Sequence, residues 1–224
     1  MVVKGEKNLF DYKYLVTFDL ASRNTGVCLW NIQEQKPEKV SMIRIEKKDG
    51  SYVYDLYKQV GEYFRKLEEE GVDLNEIFVS KEAMPVQLRG GSSTVQTFIA
   101  LAKSHAVLDL YLVQHDIDVY DYTGIYPITT HAYLKKVLGL ENKAPIDKKD
   151  IQDYMLVNYG LKTETFDESD AAFLAVTLIN SKWNKDIMEL IKEVKRHKKE
   201  LKLQKAIESC NEKIKQLENN LLSS

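Results

Sequence analysis

The sequence predicts an α/β domain: a mixed sheet with helices on both faces. Three observations carry this. Short strand-like runs open the chain, with turn residues between them. After Tyr54 the apolar period becomes helical, and helices then alternate with further strand-like runs. Two of the strand-like runs end on an acid, Asp19 and Glu82. A strand meander followed by alternating helices and strands makes a mixed sheet, and helices cover its faces.

Residues 13–19, 26–32 and 39–45 read as three consecutive antiparallel strands, each rich in Val, Ile, Leu or aromatics. Asn24-Thr-Gly26 is expected to connect the first two, and Glu34-Gln-Lys-Pro-Glu38 the second and third. Leu56, Val60, Tyr63, Phe64 and Leu67 recur at helical spacing between Tyr54 and Glu70, and Gly71 ends that helix. Ile77–Glu82 is a fourth strand. After the Gly-rich loop Leu88-Arg-Gly-Gly-Ser-Ser93, Ser92 or Ser93 is expected to cap a long helix reaching about Gln114. Its Ala100, Ala102, Ser104 and Ala106 permit close helix approach. Val119-Tyr-Asp-Tyr122 is a fifth strand. Residues 129–138 and 148–159 read as helices ended by Gly139 and Gly160, and 167–181 as the last helix of the core.

The main domain of the fold is expected to span 1–181, and composition shifts after it. Residues 182–224 form a charged stretch without proline or glycine, expected to be a helical extension. Ile187, Leu190, Val194, His197 and Leu201 follow heptad spacing. Leu203, Ile207, Cys210, Ile214, Leu217 and Leu221 follow it again, out of phase. The phase break predicts a bend, a hairpin or a coiled-coil discontinuity. The apolar stripe can pack on its own domain or pair with a partner.

Composition narrows the function classes. The chain has 224 residues and 44% hydrophobic content, ordinary for a protein that buries a core. No apolar run approaches the ~20 residues that span a bilayer, and Met1 to Lys7 lacks the apolar stretch of a signal peptide. No membrane association is expected. Cys28 and Cys210 lack metal-type spacing and read as reduced thiols of a cytoplasmic protein. The 4 histidines offer no zinc motif. A net charge of −2 and a pI near 6.1 argue against indiscriminate nucleic-acid binding, but allow a local basic face.

The chemistry lies in four carboxylates. Asp19 ends Tyr14-Leu-Val-Thr-Phe18 and opens Asp19-Leu-Ala-Ser-Arg-Asn-Thr-Gly26; Glu82 ends Ile77-Phe-Val-Ser-Lys81. Asp167 and Asp170 sit in Phe166-Asp-Glu-Ser-Asp-Ala-Ala-Phe-Leu-Ala175, at the start of an Ala-rich helix. Each alone has an ordinary explanation, as a helix cap or a surface acid. Gathered from distant segments, they suit hard divalent cations, which take carboxylates, water and substrate phosphate. Two such ions about 3.5–4 Å apart can clamp both oxygens of a phosphodiester displacement.

These motifs, in this order on these elements, resemble the RuvC-type Holliday junction resolvases of the ribonuclease H-like nuclease superfamily. The likeness covers roughly residues 13–180. Asp19-Leu-Ala-Ser-Arg-Asn-Thr-Gly26 is similar to the family's Asp-Pro-Gly-Ser-x-x-Thr-Gly, and Glu82 falls where the second acid stands. Asp167-Glu-Ser-Asp170-Ala-Ala-Phe-Leu-Ala is similar to the closing Asp-x-x-Asp-Ala-Leu-Ala. The resemblance implies a ribonuclease H-like five-stranded sheet and a homodimeric endonuclease that cuts branched DNA and leaves 5′-phosphates. Asp19, Glu82, Asp167 and Asp170 would be catalytic ligands of two Mg²⁺ ions, with Mn²⁺ able to substitute. Lys148 opens its helix where the family carries a basic residue near the scissile phosphate, and Lys135 and Lys136 lie near another. DNA contacts are expected from Arg89, Lys135, Lys136, Lys148 and Lys149. The long helix after the Gly-rich loop would form much of the dimer interface. The C-terminal helix and the divergence elsewhere look like a phage-encoded member acting in the host cytoplasm.

The pattern departs from the family in two places. Asp19-Leu-Ala replaces Asp-Pro-Gly. Ala83-Met-Pro85 stands where cellular members carry an aromatic wedge, so forks and flaps join four-way junctions as expected substrates. Two other classes compete. An actin- or sugar-kinase-like ATPase shares the first hairpin, but needs a second phosphate hairpin that the sequence lacks. A non-catalytic DNA-binding scaffold would have no physical reason to hold four repelling carboxylates together.

Overall fold

The computed structural model describes residues 8–21, 23–45, 52–84, 95–120, 124–141 and 144–181, together with 193, 194, 196, 197, 199, 200 and 204. The chain divides into two units, Met1–Ile179 and Asn180–Ser224. In the second unit the described residues are helical, and Arg196 pairs with Glu200 one turn on at 3.9 Å. Most of the heptad positions there lie outside the described residues.

The first unit forms the expected mixed five-stranded sheet. Its strands are β1 (Tyr14–Asp19), β2 (Asn24–Asn31), β3 (Lys36–Arg44), β4 (Ile77–Lys81) and β5 (Asp118–Val119). Their order across the sheet is β3-β2-β1-β4-β5. The meander β1–β2–β3 is antiparallel, whereas β4 and β5 join β1's other edge in parallel. Helix α1 (Tyr52–Glu69) connects β3 to β4, and α2 (Val95–Gln114) connects β4 to β5. Then follow α3 (Pro127–Leu138), α4 (Lys148–Tyr159) and α5 at residues 166–181.

Strand alternation sorts side chains to two cores. Val16, Phe18, Val27, Leu29 and Val79 face α1 and α2, joining Leu56, Val60, Phe64, Leu108 and Leu112. Leu15, Cys28, Trp30 and Phe78 face the other way, onto Leu134 of α3, Ile151 and Met155 of α4, and Ala171, Ala172 and Ala175 of α5. Helices therefore cover both faces.

Three expected boundaries move. Asn24, Thr25 and Gly26 do not form the first connection. They begin β2, with Asn24 opposite Arg44 and Gly26 opposite Asp19. Lys36, Pro37 and Glu38 belong to β3 rather than to the second connection, which occupies residues 32–35. Pro37 is tolerated because β3 is an edge strand and the ladder shifts register beside it, at Leu29/Trp30. The fifth strand is only Asp118–Val119, and residues 121–122 of the expected run lie outside the described residues, as do Ser92 and Ser93. Gly139 and Gly160 end α3 and α4 as expected, at left-handed φ of 66° and 65°.

Candidate active site

Asp19 is the last residue of β1, and Glu82 follows the last residue of β4. The two strands are adjacent and parallel, with Phe18 opposite Lys81, so both acids stand at one rim of the sheet. The Glu82 N–H donates to the Phe18 carbonyl at 3.0 Å. On its other side Glu82 bridges Ile125, and the Ala83 N–H donates to the Ile125 carbonyl at 2.7 Å. The Asp19 and Glu82 side chains are hydrogen-bonded to each other. Both point to the α5 face, where the neighbouring Thr17 hydroxyl donates to the Ala171 carbonyl at 2.7 Å.

The N-terminus of α5 supplies the other two acids, and its capping chemistry leaves them available. The Thr165 hydroxyl accepts from the Glu168 N–H at 3.3 Å, and Glu168 Oε2 accepts from the Thr165 and Glu164 N–H groups at 3.1 and 2.8 Å. This is a capping box made by Thr165 and Glu168. Asp167 and Asp170, three apart, lie on one side of the first turn. Gly26 admits this helix end: a Cβ there would lie 1.9 Å from the Asp167 carbonyl oxygen. The Thr-Gly pair of the first motif thus works by close approach rather than by turning the chain.

The result is a cluster. Asp19, Asp167 and Asp170 each offer a carboxylate oxygen within 4.8 Å of the others. Lys148, the first residue of α4, reaches in with Nζ 3.3 Å from Asp170 Oδ2 and 3.8 Å from Asp167 Oδ1. Asp147 fixes that helix start through its own capping box with Asp150.

Electrostatics mark the cluster as strained without a cation. Burial, then repulsion from Glu82, Asp170 and Asp167, holds the Asp19 carboxyl well above the usual carboxylate range. Burial pushes Glu82 up to about 7, with the Asp19 hydrogen bond opposing and Asp170 adding repulsion. Asp170 is also raised by burial, and the Lys148 ammonium counters part of this. Burial would lower Lys148, but attraction to Asp170, Asp167 and Asp19 outweighs it and raises the ammonium. Asp170 Oδ1 is buried with no hydrogen-bond partner among the described residues. Clustered carboxylates, one with an orphaned oxygen, fit a hard divalent cation.

The structure therefore brings together Asp19, Glu82, Asp167, Asp170 and Lys148. Lys135 and Lys136 stand in the last turn of α3, and Lys149 is exposed on α4. Arg89 lies outside the described residues. Sequence reasoning missed His131, an exposed α3 residue close enough to Asp170 to influence its carboxyl. It precedes Lys135 by one helical turn; that i, i+4 spacing was the one available signal.

No protein-family model and no curated protein sequence matches the chain. Solved structures do, among them two of one protein. Thermus thermophilus RuvC alone aligns with a TM-score of 0.54 and 12% identity, covering 76% of this chain and 96% of that one. The same protein in complex with a Holliday junction substrate aligns with a TM-score of 0.52 and 11% identity, covering 77% and 95%. Nearly the whole length of RuvC is thus covered, and the chain shares its fold.

Proposed function

We propose that this protein is a metal-dependent, structure-selective endonuclease that hydrolyses phosphodiesters in branched DNA, four-way junctions among its substrates. The observation that carries this reading is the convergence of acids at one rim of a RuvC-like sheet: Asp19, Asp167 and Asp170 offer carboxylate oxygens within 4.8 Å of one another, and Glu82 stands at the adjacent parallel strand end. Asp19, Glu82, Asp167 and Asp170 would hold two Mg²⁺ or Mn²⁺ ions, which supply charge neutralisation at the phosphate and a more acidic attacking water. The chain's own residues do the rest. Lys148 offers an ammonium at the edge of the acids, placed to hold a phosphate oxygen and offset the charge that builds on it. Glu82 and Asp19 share a hydrogen bond, so a proton can reside between them until the site fills. His131 adds a second basic group on the α3 side. Hydrolysis breaks the bond from phosphorus to the 3′-oxygen and leaves a 5′-phosphate.

The protein acts as a homodimer on this reading, with one site for each of two strands. Val95, Ile99, Leu110 and Val113 of α2 are exposed, and with Ala102 and Ala106 they line one stripe of the helix. Such a stripe suits the same helix of a second copy. DNA affinity rests on Arg89, Lys135, Lys136, Lys148 and Lys149 and falls with salt. The divergent sequence and the C-terminal helix fit a phage protein working in a bacterial host.

The test compares matched four-way, three-way, flap and linear substrates at one salt concentration, with Mg²⁺, with Mn²⁺ and with EDTA. Branched substrates are expected to be cut and linear duplex spared. Asp19→Asn and Asp170→Asn should each lower the rate at least about 10³-fold, some 4 kcal/mol of transition-state stabilisation, while DNA binding persists. Cleavage retained in both variants would remove the acids from the mechanism. Equal cutting of linear duplex would leave a general nuclease.

A further inference from the structure

Lys81 directly precedes Glu82 and points to the opposite face of the sheet, beneath α2. Its side chain is only 1% exposed and is ion-paired with Asp109 of α2, which is 30% exposed. A lysine so deeply buried is costly, and an apolar residue of similar length would serve stability as well. His105, one turn before Asp109, does not compete for the pair. Burial and the Lys81 charge push its imidazole down to about 4, so it stays neutral. The Lys81 backbone is also held: its carbonyl accepts from the Ile125 N–H at 2.8 Å, and Gly124 sits so close that a Cβ would lie 2.7 Å from that oxygen. The same helix also approaches the segment that carries Asp19, although Ser104 Oγ lies nearer the Ala100 carbonyl of its own helix, at 3.1 Å. Ser104 Oγ lies 3.3 Å from the Ala21 carbonyl, two residues past Asp19.

From this geometry we infer that α2 is a strut that sets the two strand-end acids in register from behind the sheet, with Lys81 and Asp109 as positioning residues for Glu82. This rests on the acid cluster being the catalytic centre. The ion pair fixes the rotation of β4's last residue about the strand axis. Because successive side chains alternate, that rotation sets the direction in which Glu82 leaves the strand. Neither Lys81 nor Asp109 touches the reacting atoms. Their effect reaches the site as supporting shells act on metal ligands, through ligand orientation.

The test uses the full chain, with Mn²⁺ as probe and electron paramagnetic resonance as readout of affinity. Steady-state cleavage of a branched substrate runs alongside, below the melting temperature. Lys81→Met should weaken Mn²⁺ binding about ten-fold and lower kcat with little change in KM for DNA. Asp109→Glu, which keeps the pair, should stay within about two-fold of the parent in both, on the same scale. Unchanged Mn²⁺ affinity and kcat in Lys81→Met would overturn the inference. Should that variant fail to fold, Asp109→Ala carries the test, since alanine suits a partly exposed helix position; parent-like Mn²⁺ affinity there would overturn it equally. A parent protein that binds Mn²⁺ but cuts no DNA would defeat the nuclease reading, while the affinity measurements would still decide the role of Lys81.

Discussion

On the α1/α2 face the sheet is covered by large rings. Phe64 lies 6.2 Å from Phe18 and stacks on Tyr111 at 5.4 Å, and Tyr63 meets Phe18 edge-on at 6.1 Å. On the other face, beside the acids, α5 meets the sheet through Ala171, Ala172 and Ala175. Rings fill space and hold layers apart. Alanines and Gly26 let backbone approach backbone, which carries Asp167 and Asp170 to Asp19. Bulk is placed where only cohesion is needed, and small residues where separate segments must meet. The second face has rings as well, Trp30, Phe78 and Phe173 among them, but small residues line it where α5 meets the strand ends, beside the repelling acids.

The largest expected effect tests this division directly. Gly26→Ala puts a methyl 1.9 Å from the Asp167 carbonyl oxygen, so α5 must move. A loss of about 3 kcal/mol or more is expected, and Mn²⁺ binding should fail even at temperatures where the protein remains folded. Phe64→Ala, on the opposite face, should cost about 3–5 kcal/mol of stability yet keep Mn²⁺ binding wherever the variant is folded. Denaturation curves alongside Mn²⁺ titrations check the pair. Intact binding in Gly26→Ala would break the comparison.

An intermediate effect sharpens what the α1/α2 face presents to solvent. Leu110 is 52% exposed near the C-terminal end of the α2 stripe. Leu110→Glu should move the protein from dimer to monomer at micromolar concentration, seen by light scattering, with monomer stability within about 0.5 kcal/mol of the parent's. A parent that is monomeric with and without DNA would remove α2 as an interface.

The smallest effect concerns the strain of the acids in metal-free protein. Asp19 and Glu82 have folded values above their ordinary ones, with Glu82 raised from 4.5 to about 7. The fold therefore binds protons that the unfolded chain releases. Stability in EDTA is greatest below the ordinary value and is lost as pH rises through about 7. The Tm should fall by a few degrees from about pH 5 to about pH 8, where about 1 kcal/mol corresponds to about 2–4 °C. Glu82→Gln should flatten that slope and Mg²⁺ should reduce it. An unchanged slope in Glu82→Gln would assign the titration elsewhere.

The sequence by itself determined the elements and the segments that carry the acids. Periodicity marked α1 through Leu56, Val60 and Phe64, glycine marked the ends of α3 and α4, and the order of motifs matched the fold that the chain adopts. These signals are local, because the period of apolar residues and the left-handed tolerance of glycine act within a few positions. Tertiary structure decided what depends on contacts across the chain. Gly26 read as a turn residue because glycine commonly serves turns, yet its role comes from α5, some 140 residues away. Asp167 and Asp170 read equally well as caps until Thr165 and Glu168 took that task. His131 and the buried Lys81 left almost no trace in the sequence, since an imidazole near an acid or a charge beneath a helix is defined by packing between elements and not by spacing along one.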